Sequence, residues 1–439
     1  MTAAGVDRLA VYLNTTLVGH LTDESDQVVG FAYDDAYIDR VDATPLSLSL
    51  PLTAELHPSA RVTAFLWGLL PDNENTLDRI AIDAGTSARN VFRLLAYVGR
   101  DTAGALQILG LDVDPHEPGG IEWIDAEELA VRVAEVRRSA ATGLPLKHDN
   151  GRWSLAGAQG KIALRYENGR WGIPYGAEPT THILKPAVTG FAESDVNEAV
   201  LLTAARALGL PAARTSVLRL LDETHVLVSQ RYDRSREGDT WTRVHQEDLC
   251  QALGVAPSQK YQSDGGPGIE AVGSLFRRLP PTQARGSAER FLDALAFNYA
   301  IASTDGHAKN YSLLLAAGNA TLAPLYDVNS ALPYTRPYGR RYDSARKLHG
   351  AFHIGRTDAF TRVEARDWGT VAKQLDLDPE RVIGRVREIL ARTPEVVEAA
   401  SNDVLSRAQL AATTGTTWTQ ILTDYHKDLH VTVTTHGAA

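Results

Sequence analysis

Two aspartates and an asparagine are the residues of this chain best suited to chemistry. Asp305 lies in Ser303-Thr304-Asp305-Gly306-His307-Ala308-Lys309-Asn310, with Asn310 five positions after it, and Asp327 follows in Leu325-Tyr326-Asp327-Val328. Phosphoryl transfer needs such a set. One carboxylate orients the attacking hydroxyl and accepts its proton, while an amide and a second carboxylate hold Mg²⁺ against the phosphates. Alone, Asp-x-x-x-x-Asn also describes a capped turn, because Asp and Asn are common turn formers. The elements around it decide between the two.

Those elements come in a definite order. Ser154-Leu155-Ala156-Gly157-Ala158-Gln159-Gly160-Lys161 is a small-residue turn before a strand, Ile162 to Tyr166, and Asn168-Gly169 then turns the chain back to Trp171-Gly172-Ile173. Such a turn lets backbone N–H groups approach phosphates, although it does not have the spacing of a Walker A loop. Thr181-His182-Ile183-Leu184-Lys185-Pro186 ends a short apolar strand in a lysine, which is either a phosphate ligand or an ordinary surface lysine. A helix follows, capped by Ser194, with Val196, Val200, Leu201, Ala204 and Leu208 on its apolar face and Gly209 as its stop. Glu198 in its first turns either reaches Lys185 or simply complements the helix dipole. The hairpin Val217–Leu221 and Val226–Gln230 runs into Arg231-Tyr232-Asp233-Arg234, where a hinge to a helical segment would bind adenine beside Tyr232. Helices are expected over 247–253, 269–279 and 287–301, the last delivering the chain to Asp305. Glycine turn, strand lysine, helix glutamate, hinge, Asp-x-x-x-x-Asn and a further Asp follow one another as the parts of protein kinases do.

The remainder bounds the reading. The chain has 439 residues, 44% hydrophobic and 22% charged, with a formal net charge of −10 and one cysteine, Cys250. That charge argues against nucleic-acid binding over the whole surface. Its densest basic run, Arg336, Arg340, Arg341, Arg346 and Lys347, reads as a solvated loop. Neither a signal peptide nor a membrane span is visible. The N-terminal part reads as a hairpin around Asn14-Thr15-Thr16, strands at 28–33 and 47–52, and helices at 75–84 and 88–98, the second capped by Ser87. Asp125 and Glu128 read as a capping box for a helix running to about Ala140. Near the end, helices are expected at 363–375, 379–393 and 394–412. The expected division is 1–112, an N-terminal β/α subdomain; 113–151, a linker helix; 152–233, a β-rich lobe; 234–425, a helical lobe; and 426–439, a loosely held tail.

The chain resembles the HipA family of serine/threonine kinase toxins of type II toxin–antitoxin systems. The residues carrying the resemblance are Leu155–Gln159 with Lys161, Thr181–Lys185, Arg231–Arg234, Gln246–Gln251, Lys260–Ile269, Thr304–Asn310 and Pro324–Asp327, with Val98–Asp101 and Gly104–Gln107 extending it toward the N-terminus. The resemblance implies an α+β, two-lobed kinase-like fold and a cytoplasmic ATP- and Mg²⁺-dependent kinase. It implies Asp305 as base and Asn310 and Asp327 as Mg²⁺ ligands. It places nucleotide contacts at Ala156, Gly157, Ala158, Gln159, Lys161, Lys185, Gln230, Tyr232, His307, Asn310, Tyr326 and Asp327. Ser154 matches the serine that family members autophosphorylate. A HipB-type helix-turn-helix antitoxin, operator DNA reached through that antitoxin, nucleoid association in the complex, and glutamyl-tRNA synthetase as substrate are the implied partners. Gly160 stands where the family often has glutamate, and Gln230 replaces an acidic hinge residue. The rival readings are a small-molecule phosphotransferase and a mainly non-enzymatic co-repressor.

Overall fold

Asn14, in the left-handed region at φ 53°, folds Arg8–Leu13 back onto Thr16–Asp23. Val29–Tyr33 and Leu106–Gly110 complete an antiparallel sheet of four strands. Helices Ser59–Trp67, Glu74–Ala84 and Val91–Val98 bring Phe65, Phe92, Leu94 and Leu95 into one apolar core with Leu9, Val11 and Phe31. The computed structural model describes residues 7–24, 28–142, 151, 153–238, 240–334, 347–410 and 417–431. They fall into two compact units, the first made of Met1–Asp195, Leu218–Ser258 and Ser312–Ala320.

A second sheet of the first unit runs Gly120–Ile124, Arg170–Tyr175, Ile162–Glu167, His182–Pro186, His225–Gln230, each strand antiparallel to the next. Helix Ala126–Thr142 closes one face, packing Leu129, Val133 and Val136 against Ile162, Leu164 and Leu184. This is the β-rich half of an α+β, kinase-like fold. The second unit holds the helices Ile269–Phe276, Pro281–Ala300, Ala365–Gln374, Pro379–Ala408 and Trp418–His426.

Several sequence expectations change. Residues 47–52 form a turn rather than a strand. Tyr33 Oη accepts from Leu46 N and donates to Leu50 O, while Ser47 Oγ and Leu48 N donate to the Glu247 carboxylate. The helix expected from 88 starts at Val91, because the cap is Asn90, whose Oδ1 accepts from Arg93 N at 3.0 Å. Asp125 caps its helix, but Glu128 turns its carboxylate to Arg132 instead of closing a box. Ser194 Oγ accepts from Val188 N, ordering the turn before its helix. Glu247 lies in a strand, His245–Asp248, paired with Ser312–Ala316, and the helix Leu249–Leu253 starts after Asp248. The helix expected from 287 already begins at Pro281. Pro394 does not divide its helix. The apolar stripe of Val386, Ile389 and Leu390 continues as Val397, Ala400 and Val404, and that burial outweighs one missing N–H. The segment expected to be loose starts with packed residues, Leu429 and Val431 being buried; 432–439 lie outside the described residues, as does the basic run except Lys347. Among the described residues, no helix is long and apolar enough to cross a membrane.

Candidate active site

In the second unit the helix Pro281–Ala300 ends on a left-handed residue, Ala302 at φ 52°. Ser303 N donates back to Asn298 O at 2.8 Å, and the chain turns out into Asp305. Asp305 is the exposed tip of an otherwise buried loop: Ser303, His307, Lys309 and Asn310 are all buried, whereas the Asp305 side chain is 61% accessible. The loop is closed on itself. The Asp305 carbonyl accepts from His307 N at 2.8 Å and from Asn310 Nδ2 at 2.6 Å. Glycine is required between them, since a Cβ on Gly306 would sit 2.7 Å from Asn298 Nδ2, which donates to Tyr311 Oη. The Asp-x-x-x-x-Asn spacing thus has a local structural meaning: Asn310 fixes the backbone of Asp305.

Tyr261 is the residue that sequence reading left without a role. Its hydroxyl donates to Asp305 Oδ1, and its ring stands edge-on to His307 with centroids 4.9 Å apart. His307 Nε2 lies 3.9 Å from the same Oδ1. The Lys260 carbonyl accepts from Ala308 N at 3.2 Å, so the segment of Tyr261 and the segment of Asp305 are tied at a second point. The only sequence signal was the family-like run beginning at Lys260.

Asp327 is delivered by a short bridge. Leu325 exchanges backbone hydrogen bonds with Pro211 and Ala213, and Tyr326 Oη donates to Lys309 O at 2.7 Å. Asp327 itself is left-handed at φ 56°, a conformation that concentrates at functional sites when surrounding structure enforces it. The enforcement is visible just beyond. Ser330 Oγ donates to Ile301 O at 2.6 Å and Asn197 bonds both backbone groups of Ser330. The Asp327 turn and the end of the helix before Asp305 are therefore one hydrogen-bonded assembly.

In the first unit, Lys185 is buried in the strand His182–Pro186, opposite Leu227. The glycine turn beside it contains Gly157 at φ 108°, where a Cβ would lie 2.6 Å from Lys161 Nζ. Lys161 Nζ donates to Ala156 O, Gln159 Nε2 donates to Pro186 O at 2.8 Å, and Ala158 is exposed. Gly160 is set against helix Ala126–Thr142, its would-be Cβ 2.7 Å from Ala140 Cβ, which explains why no larger residue stands there. Ser154 is fully buried, donating through Oγ to Leu69 O and through N to Asp101 O, both at 2.8 Å. Gln230 pairs with His182 at the end of its strand, and Tyr232 points its hydroxyl at Gln246. Burial pushes the Tyr232 phenol well above its ordinary value. Glu198 is buried on its helix in the second unit.

A buried ion network, missed in the sequence, surrounds the segment Arg231–Arg234. Asp101 accepts from Arg234 Nη2 at 2.7 Å, from Arg243 Nε at 3.3 Å and from Thr180 Oγ1 at 2.6 Å. Arg231 makes two bonds to Asp233, whose carboxylate also accepts from Gly104 N. Burial alone would raise the Asp101 carboxyl, but Arg234, Arg231 and Arg243 outweigh it and hold the group well below the ordinary range.

The family model described as HipA-like C-terminal domain matches residues 153–397, and that described as HipA N-terminal domain matches 9–109. A putative kinase of Sinorhizobium fredii, Y4mE, is 36% identical over 90% of this chain and 92% of its own length. The serine/threonine-protein kinase toxin HipA of Shewanella oneidensis is 28% identical over 76% of this chain and 77% of its own. The solved complex of Shewanella oneidensis HipA with HipB and operator DNA contains a chain with the same fold, at TM-score 0.75, 23% identity and 96% coverage of both chains. The chain belongs to the HipA family of serine/threonine-protein kinases.

Proposed function

We propose that this kinase transfers the γ-phosphoryl group of ATP to serine or threonine hydroxyls of a protein, as the toxin of a toxin–antitoxin pair. The observation that carries the reading is Asp305: an exposed carboxylate on a buried loop, fixed through its backbone by Asn310 and through one oxygen by Tyr261. Asp305 acts as the base. With Oδ1 engaged by Tyr261, Oδ2 is the oxygen that takes the hydroxyl proton. The Asn310 amide oxygen and the Asp327 carboxylate are hard donors of the kind Mg²⁺ selects, and Asn310 already commits its nitrogen to Asp305. Bound Mg–ATP supplies the phosphoryl group and neutralises charge on its oxygens.

Lys185 holds the phosphates. Ala156, Gly157, Ala158, Gln159 and Lys161 form the loop over them, for which the glycine-only conformation of Gly157 is suited. Gln230 and Tyr232 take the adenine side, and His307 and Tyr326 border the nucleotide. Ser154 is the site of autophosphorylation. Its hydroxyl is buried against Leu69 O, so a phosphorylated Ser154 requires this segment to leave its place. The family relation supports a HipB-like antitoxin as partner, operator DNA reached through it, and a cytoplasmic protein that becomes nucleoid-associated in the complex. Glutamyl-tRNA synthetase is the substrate that the family resemblance suggests.

The test is substrate class. Purified chain, Mg²⁺ and labelled ATP are offered glutamyl-tRNA synthetase, a whole bacterial extract, and a panel of sugars and aminoglycosides. Label on protein serine or threonine supports the proposal. Turnover confined to the small molecules contradicts it.

A further inference from the structure

Asp195 sits fully buried in the first turn of helix Ser194–Ala207. Its Oδ2 accepts from His225 Nδ1 at 2.6 Å, while the buried Oδ1 has no hydrogen-bond partner among the described residues. A buried carboxylate bonded at one oxygen is costly unless a positive charge stands beside it. The helix N-terminus supplies part of that charge, and a protonated His225 supplies the rest. The groups around His225 agree. Its bond to Asp195 raises its pKa above the ordinary 6.5, against the opposing effect of burial; the charge of Asp195 and Glu193 raises it further, and Arg137, on the helix Ala126–Thr142, lowers it.

The position of the pair gives it a use. His225 lies two residues before Leu227, the cross-strand partner of Lys185. Alternate residues of a strand share a face, and so do directly opposed residues. His225 and Lys185 therefore stand on the same sheet face, one step apart on neighbouring strands. We propose that the Asp195–His225 pair is a positioning contact: it holds Asp195 against the sheet face that carries Lys185, and so braces the strand of the phosphate-holding lysine. This rests on the kinase reading of Lys185 given above. The sign follows from the raised pKa. The ion pair is complete below 6.5 and is lost as pH rises through the raised value, so efficiency with ATP falls on the alkaline side.

The experiment is the pH profile of kcat/KM for ATP, from about pH 6 to about pH 9, on the full chain and on His225→Asn, His225→Leu and Asp195→Asn. His225→Asn keeps an N–H toward Asp195 without a titrating charge. It should show at every pH the lowered kcat/KM that the wild type reaches on the alkaline side, with no alkaline limb. His225→Leu should lose about tenfold or more in kcat/KM, the scale of a misplaced reacting group. Melting temperatures accompany each variant, and if His225→Leu does not fold, the two asparagine variants decide alone. An alkaline limb unchanged in both asparagine variants overturns the positioning role. A wild-type chain that transfers no phosphate at any pH overturns the kinase reading itself, and this inference with it.

Discussion

In the proposed mechanism Tyr261 selects the oxygen of Asp305 that takes the proton. Its hydroxyl occupies Oδ1 and leaves the rotation of the carboxylate set. Tyr261→Phe removes this bond but keeps the ring that meets His307 edge-on. The expected result is a fall in kcat of about tenfold with little change in KM, less than the 10²–10⁴-fold that general-base catalysis contributes. Steady-state kinetics on a protein substrate would check it, and a change confined to KM would show that Tyr261 serves binding instead. The pairing of Asn310 with Asp305 was legible as residue types at a spacing, because their bond is local. The role of Tyr261 was not, since 44 residues separate it from Asp305.

At the scale of elements, the helix Trp418–His426 completes the end of helix Pro281–Ala300, which leads into the Asp305 loop. The last carbonyls of Pro281–Ala300 lack intrahelical donors. Tyr425 Oη donates to Tyr299 O at 2.8 Å, and His426 Nε2 lies 2.7 Å from Ala300 O. Burial lowers the His426 pKa, so the neutral ring serves as donor. Tyr425→Phe should cost about 1 kcal/mol, the net worth of one buried hydrogen bond, read by denaturant unfolding, and should lower turnover as the loop loosens. The sequence showed little apolar period past Tyr425, which is why this segment was read as loose. Local pattern also failed at Glu247 and at residues 47–52, whose structure depends on each other and on Ser312–Ala316, far along the chain. It succeeded where the cause is local: the Asn14 turn, the strand His182–Pro186, and the stop at Gly209, left-handed at φ 86°.

Over the whole molecule, the ion network joins sequence matched by two separate family models. Asp101 belongs to the N-terminal match, and Arg231, Arg234 and Arg243 to the C-terminal one. The first unit accordingly contains both. Asp101→Ala strands buried arginines and should destabilise the first unit by about 3–5 kcal/mol, the usual result of removing one partner of a buried pair. Asp101 also sets an acid limit. Its carboxyl is held below the ordinary 3.8, so its stabilisation is present above that value and is lost as pH falls through the lower folded value. Acid unfolding of the wild type should therefore be steeper below 3.8 than that of Asp101→Asn, read by circular dichroism; identical acid limbs would mean that the network contributes nothing to stability. In the sequence Asp101, Arg231 and Arg234 were visible only as parts of family-like strings and Arg243 not at all, since the bond between Arg234 and Asp101 spans 133 positions.

The central claim is that Asp305 accepts the proton of a protein hydroxyl during phosphoryl transfer. The most direct measurement is incorporation of label from γ-labelled ATP, with Mg²⁺, into protein serine and threonine by the wild-type chain and by Asp305→Asn, the two matched for melting temperature. The account expects labelling by the wild type and a loss of about 10²-fold or more in the variant. Equal labelling by both, or none by either, would contradict it.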